Sequence, residues 1–202
     1  MMKILNAQLS RDLKEGKPVF LNLGCGPKPQ PGTYGVDLLA LEGVDVQADL
    51  NEPLDLLPEN SVASVTSRHT FEHVSNLIGL LKELHRIVRP DGRIEIIVPH
   101  FSDPHGYSDP THVRFFGLFT MCYFSDNHRW RRKVPTFYTD IRFTIEDAHI
   151  RFSRNGLDRL FGAMKEFLTN LHPNSQSLYE RHFCWIFPCE EIRYVLRPRK
   201  IK

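Results

Sequence analysis

The chain has 202 residues, with 26 basic and 24 acidic side chains, 10 histidines and a formal net charge of +2. Its apolar share of 41% supplies a core of one-domain size and argues against intrinsic disorder. No apolar run approaches the roughly 20 residues needed to cross a bilayer. The opening MMKILNAQLSRDLKEGK is too polar for a signal peptide, so a cytoplasmic protein is expected. Charge is uneven: residues 1–100 carry net −3 and residues 101–202 net +5. That tilt suits an anionic partner but falls far short of a dedicated nucleic-acid binder, and no nucleic acid is expected. Cys25, Cys122, Cys184 and Cys189 are scattered, without the close pairs of a zinc ribbon, and read as reduced, mostly buried thiols.

Residues 1–17 read as a short polar helix or an extended lead-in. Residues 18–23, Pro-Val-Phe-Leu-Asn-Leu, run into Gly24-Cys25-Gly26-Pro27. That is the pattern of a buried strand entering a tight turn. Further strands are predicted at 33–38, 44–49 and 61–66. Leu77, Ile78, Leu80, Leu81, Leu84, Ile87 and Val88 share one helical face. Ser75 or Asn76 caps that helix, and Pro90-Asp91-Gly92 ends it in a turn. A fifth strand follows at 93–98. Strands linked by short crossovers imply an α/β layer around a mostly parallel sheet.

Residues 100–140 hold 10 of the 22 aromatics, together with His100, His105, His112 and His128. A segment of that length between elements is functional or a small cap. After it, 141–145 and 150–152 read as strands. Residues 157–171 read as a helix with Leu157, Leu160, Phe161, Met164, Phe167, Leu168 and Leu171 on one side, a stripe for the core first and otherwise for a partner or membrane surface. Residues 183–187 and 192–196 read as antiparallel closing strands.

In an open parallel sheet, ligands gather at the carboxyl ends of the strands. The Gly24-x-Gly26 turn lets backbone N–H groups come close to one there. Alone, it is as readily a plain tight turn. Asp37 closes the second strand, 13 residues after Gly24, where a carboxylate reaches both hydroxyls of a ribose. Asp49 closes the third strand, within reach of an adenine amine. Either is equally readable as a capping aspartate. A nicotinamide oxidoreductase fits less well. Its fingerprint needs a third glycine opening a helix and an acid about 20 residues on, whereas Pro27, Pro29 and Pro31 leave no helix interior. A non-catalytic module that keeps only the cleft is the remaining alternative.

Leu21-Asn-Leu-Gly-Cys-Gly-Pro27, Gly35-Val-Asp37, Ala48-Asp49-Leu50 and Arg68-His-Thr-Phe-Glu-His-Val74, in that order, resemble class I S-adenosylmethionine-dependent methyltransferases of the small type-eleven-like branch. Leu84 to Gly92 and the strand up to Pro99 match as well, so the likeness spans about residues 18–100. It implies a Rossmann-like methyltransferase fold with an antiparallel closing strand, one domain over 1–202, and S-adenosyl-L-methionine as cofactor. The implied reaction is methyl transfer to a small-molecule or glycan acceptor. Carried over, Asn22, Gly24, Cys25 and Gly26 form the turn facing the methionine part. Asp37 holds the ribose, Asp49 and Leu50 frame the adenine, and His69 ends the fourth strand beside the methionine end. One departure stands out: relatives place a full helix after the glycine turn, and this chain has prolines instead.

Residues 100–114 follow the fifth strand directly and resemble an Asp-Pro-Thr-His-Val-Arg stretch found in bacterial methyltransferases. A hydroxyl acceptor loses its proton as it attacks, and His100, His105 and His112 are the candidate bases. Tyr107, Asp109 and Arg114 are the candidate acceptor contacts, Arg114 for a carboxylate or phosphate. The spacing of His100, His105, Asp109 and His112 matches no metal signature, and no metal is expected. The 129–133 cluster, Arg-Trp-Arg-Arg-Lys, suits either phosphates or a solvated loop.

Overall fold

The computed structural model describes residues 2–154 and 158–200, with the side chains of 158–160 excepted. The lead-in is both things the sequence allowed: a two-residue strand β1 (Lys3–Ile4), then helix α1 (Ala7–Lys14) capped by the Asn6 side chain. Next come β2 (Val19–Leu23), β3 (Tyr34–Asp37), β4 (Val44–Gln47) and β5 (Val62–Arg68). Only turns join β2 to β3, as the prolines require. Helix α2 (Leu77–Ile87) starts at Asn76, whose side chain accepts from the Gly79 N–H. It buries Leu77, Leu80, Leu81, Leu84 and Ile87, each worth about 1.5–3 kcal/mol over exposure.

The turn expected at Pro90-Asp91-Gly92 is instead a bulge inside a long strand, β6 (Val88–Pro99). Val62 pairs with Val88 and Ser64 with Arg93, so residues 89–92 loop out between the two pairings. Gly92 is needed there, because a Cβ would sit 2.7 Å from Val88 and 2.8 Å from the Ala63 carbonyl oxygen. Residues 100–142 follow, with only short 3-10 turns at Pro104–Tyr107 and Thr120–Phe124. The two strand segments expected after them are one strand, β7 (Phe143–Arg151), bulged between Ile145 and Asp147.

Helix α3 (Asp158–Asn170) follows. The predicted Leu157 lies outside the described residues. The stripe expected to face the core does not: Phe161, Met164, Phe167, Leu168 and Leu171 are all exposed. A second helix, α4 (Pro173–His182), fills a region with no predicted element. It opens on a capping box between His172 and Ser175, with proline in its first turn. Residues 183–187, predicted as a strand, form turns after it. The chain closes on β8 (Glu191–Pro198).

All strands join one sheet in the order β1-β4-β3-β2-β5-β6-β8-β7. From β4 to β6 every pairing is parallel, while β8 runs antiparallel to both neighbours and β1 antiparallel to β4. The chain leaves β2 toward β3 on one side and returns beside it as β5 on the other. That reversal opens a crevice at the strands' carboxyl ends. Leu23 pairs with Val36 and Ser67, and Asp37 with Gln47. The residues just after 23, 37, 47 and 68 therefore share one edge. Cys122, Cys184 and Cys189 are buried and Cys25 is half-buried, all as free thiols. Among the described residues no helix is long and apolar enough to cross a membrane.

Candidate active site

A cleft of about 250 Å³ opens on that edge, lined by Gly24, Asp37, Leu38, Ala48, Asp49, Leu50, Asn51, His69, Thr70, His73 and Val74. Five residues expected at a cofactor site meet here: Gly24, Asp37, Asp49, Leu50 and His69. Gly24 has φ +63, and a Cβ there would strike the Thr70 side chain at 2.1–2.8 Å. Gly26 also has positive φ, +56, but a Cβ there meets nothing within 4 Å. Its N–H donates to Asp37 Oδ2 at 2.8 Å, while Leu39 N–H donates to Oδ1 at 3.2 Å. Both bonds fix the Asp37 carboxylate at the cleft wall. Asn51 holds Asp49 the same way, donating from its backbone and side-chain amides to Oδ1 at 2.9 Å.

Asn22 and Cys25 are not in the lining. Asn22 is buried and accepts from the Gln30 N–H at 3.1 Å, which pins the proline turn to the sheet. Burial, aided by the Asp37 charge, pushes the Cys25 thiol up to about 11, so it is neutral near pH 7.

The rim after β5 is the strained part. His69 has φ +51, rare for a non-glycine and typical of functional turns. Its Nε2 lies 2.6 Å from Glu191 Oε1, which Arg68 Nη2 also contacts at 2.6 Å. The bond to Glu191 raises the His69 pKa above its ordinary value, against the opposing effect of burial. Burial opposes ionisation of Glu191, but the His69 bond and the Arg68 and Arg151 charges outweigh it and leave that carboxyl below the usual range. Glu72 is 1% exposed. Desolvation raises its pKa, partly offset by its own backbone amide and by His69, His73 and His112. Glu72 and His73 lie within the Arg68–Val74 motif, which by itself points to no role for either. Glu191 carried no signal, since only the β8 pairing brings it to the fourth strand's end.

The insert's residues divide. His112 is half-buried, with its ring centroid 4.8 Å from that of His73. Thr111 Oγ1 lies 2.9 Å from His73 Nδ1, and Val113 N–H donates to the Glu72 carbonyl at 2.9 Å. Arg114 donates from Nε to the Val74 carbonyl at 3.0 Å and from Nη2 to the Ser75 carbonyl at 2.6 Å. Asp109 Oδ1 accepts from Thr111, and its Oδ2 lies 3.6 Å from His112 Nε2. So residues 109–114 are stapled to the turn at 72–75. His100 goes elsewhere: it is buried, with Nδ1 on Ser102 at 2.8 Å and Nε2 on Glu180 at 3.2 Å. His105 is exposed and lines no part of the cleft. Tyr107 stacks on Phe115 and donates to the Phe101 carbonyl. A larger cavity, about 750 Å³, lies between the insert and α4 and takes Arg131, Arg132 and Arg181 in its lining. It includes none of the strand-end residues. Within the 129–133 cluster, Trp130 is buried and bonds Gln176.

The methyltransferase domain family matches residues 33–96, from β3 to β6. No curated protein matches the chain. Among solved structures, the YcgJ protein from Bacillus subtilis is similar at TM-score 0.51 and 14% identity, over 96% of this chain and 98% of that one. A SAM-dependent methyltransferase from Archaeoglobus fulgidus is similar at 0.51 and 17%, over 95% and 91%. These likenesses concern the fold. The family match spans three of the four motifs that frame the cleft, and the chain has the fold of these methyltransferase structures.

Proposed function

We propose that the cleft takes S-adenosylmethionine and that residues 100–140 form a cap over it for a small-molecule or sugar-type acceptor. In this reading Asp37 accepts the ribose hydroxyls, Asp49 and Leu50 frame the adenine, and the Gly24–Gly26 turn receives the methionine end. The residues suit the group. Asp37 and Asp49 are each held by backbone N–H groups and keep lone pairs for a ligand. Gly26, next to the cleft wall, has open space where a side chain would stand. The cofactor supplies an electrophilic methyl on a sulfonium. The chain's own residues bring the acceptor into line and exclude water. Of the three candidate bases, His112 is the one held against the cleft rim.

The observation that carries this reading is the stapling of 109–114 onto the turn at 72–75, because Val74 and His73 are themselves cleft walls. The test is a turnover assay against a panel of hydroxyl and carboxylate small molecules and sugars. The expected result is turnover with at least one acceptor, reduced about 10²–10⁴-fold by His112→Ala and unaffected by His105→Ala. Equal losses for both variants would contradict the placement of His112, and turnover only on a protein or nucleic acid would contradict the acceptor class.

A further inference from the structure

Glu72 is the odd group of the cleft rim. It is 1% exposed, yet among the described residues neither carboxylate oxygen finds a hydrogen-bond partner. The nearest ring nitrogen of His69 stands 3.6 Å from Oε1, too far for one. Nature rarely leaves a buried carboxylate without a partner. Beside it lie His73 and His112, and one ligand atom from each of the three residues falls within 4.8 Å of the others. Both rings are already anchored through Nδ1. His73 Nδ1 faces Thr111 Oγ1 at 2.9 Å, and Thr111 spends its own proton on Asp109 Oδ1 at 2.6 Å. His112 Nδ1 faces the Gly106 carbonyl at 2.8 Å. Among the described residues Nε2 is therefore the free nitrogen on each ring, with only Asp109 Oδ2 near that of His112, at 3.6 Å. A histidine held by Nδ1 on an oxygen, with Nε2 open, is the usual posture of a metal ligand.

We propose that Glu72, His73 and His112 bind one divalent cation of the borderline class, such as Mn²⁺, Fe²⁺, Co²⁺ or Zn²⁺, at the junction of cleft and insert. Two imidazoles and one carboxylate favour that class over Mg²⁺ or Ca²⁺, which call for oxygen ligands. Three protein ligands leave coordination positions open. His73 lines the cleft, so those positions face the side from which an acceptor enters. An acceptor oxygen is the group they take; that part alone rests on the function proposed above. With the ion bound it is the ion, not a free His112 nitrogen, that eases loss of the acceptor's proton, so His112→Ala would act through the ion. Neither sequence spacing nor the insert's own histidines pointed to this set, because two of its three ligands come from the turn after β5. A cation also accounts for the otherwise orphaned Glu72 carboxylate. The competing state is Glu72 kept protonated and neutral, with no ion.

The test uses the full chain stripped with a chelator and titrated with Mn²⁺, followed by electron paramagnetic resonance and by calorimetry. One ion per chain is expected. Glu72→Gln and His112→Ala should each weaken it by at least about 10–100-fold, while His182→Ala, on the exposed end of α4, leaves it unchanged. Mn²⁺ should raise the melting temperature of the wild type and not of Glu72→Gln; that near-isosteric variant, checked for fold by circular dichroism, guards against simple unfolding. The proposal is overturned if the stripped wild type binds neither Mn²⁺ nor Zn²⁺ below about 1 mM, the weak end for protein sites, or if Glu72→Gln binds as well as wild type. S-adenosylhomocysteine binding is measured on the same samples. Its presence without Mn²⁺ binding overturns the cation site and spares the cofactor reading; the converse upholds the cation site and removes the cofactor reading.

Discussion

Arg114 is the strongest clamp between the insert and the cleft rim, and removing it should loosen the cap without touching the cofactor end. Its guanidinium donates to two backbone carbonyls, Val74 at 3.0 Å and Ser75 at 2.6 Å. Hydrogen bonds from a charged donor contribute about 1.5–3 kcal/mol each. The outer bond is exposed to water and is worth less. A net loss of about 2 kcal/mol in Arg114→Ala is therefore expected, felt locally because Val113 and Thr111 still bond to the same turn. That figure corresponds to roughly 30-fold faster opening at about 1.4 kcal/mol per decade. Native-state amide exchange should show it over residues 109–116 and not in β2–β5. Acceptor KM should rise while S-adenosylhomocysteine affinity stays within about threefold. Arg114→Lys should recover only part of the effect, since an ammonium lacks the guanidinium fork. Unchanged exchange at 109–116, or loosening spread evenly over the sheet, would refute the clamp.

Three further outcomes follow from the same geometry. Glu191→Gln should lower the His69 pKa, read from the imidazole signals by NMR. His69 has a raised folded pKa, so its share of stability is full below about 6.5 and fades as pH climbs through the raised value. The Glu191 share is present above about 4.5 and fades on acidification, so the variant should lag the wild type most between those limits. An unshifted His69 titration would contradict the pairing. Gly24→Ala should cost about 2 kcal/mol from left-handed backbone plus the clash with Thr70, a fall of about 4–8 °C in melting temperature. Pairing it with Thr70→Ser should recover part of that loss, and full tolerance of Gly24→Ala would show the turn is laxer than described. Gly26→Val meets open space but carries the same left-handed backbone cost, so it should lower the melting temperature by a few degrees, remain folded by circular dichroism and lose S-adenosylhomocysteine binding; normal binding in the folded variant would place the ligand elsewhere.

The first hundred residues were legible because their signals are local. Val19–Leu23 and Val62–Arg68 are short apolar runs between breakers, and α2 carries a full apolar stripe over a side-chain cap. The missing crossover helix followed from proline alone. The bulge at 89–92 was not legible, because Pro-Asp-Gly reads as a turn until the partner strand shows that both sides continue. The second half failed for a different reason. Phe161, Phe167 and Leu168 have helical spacing, yet spacing does not say which face the fold covers, and here they are left exposed. Residues 173–182 are too polar to advertise a helix, which depends on its capping box and on Tyr179 and Gln176 reaching the core. Within the site, Asp37, Asp49 and Gly24 were readable as strand-end residues. Glu191 and the Glu72–His73–His112 group were not, since sheet pairing and the fold of the insert bring them together across separations of 123 and 38 positions.

The central claim is that the edge formed by Gly24, Asp37 and Asp49 holds S-adenosylmethionine. The most direct measurement is calorimetric titration of S-adenosylhomocysteine into the wild type and Asp37→Ala, with NAD as the rival ligand. The account predicts one site per chain for S-adenosylhomocysteine, none for NAD, and a loss of about 1–3 kcal/mol in Asp37→Ala, or about 5- to 150-fold in affinity. Tight NAD binding, or an Asp37→Ala protein that binds S-adenosylhomocysteine as well as the wild type, would contradict it.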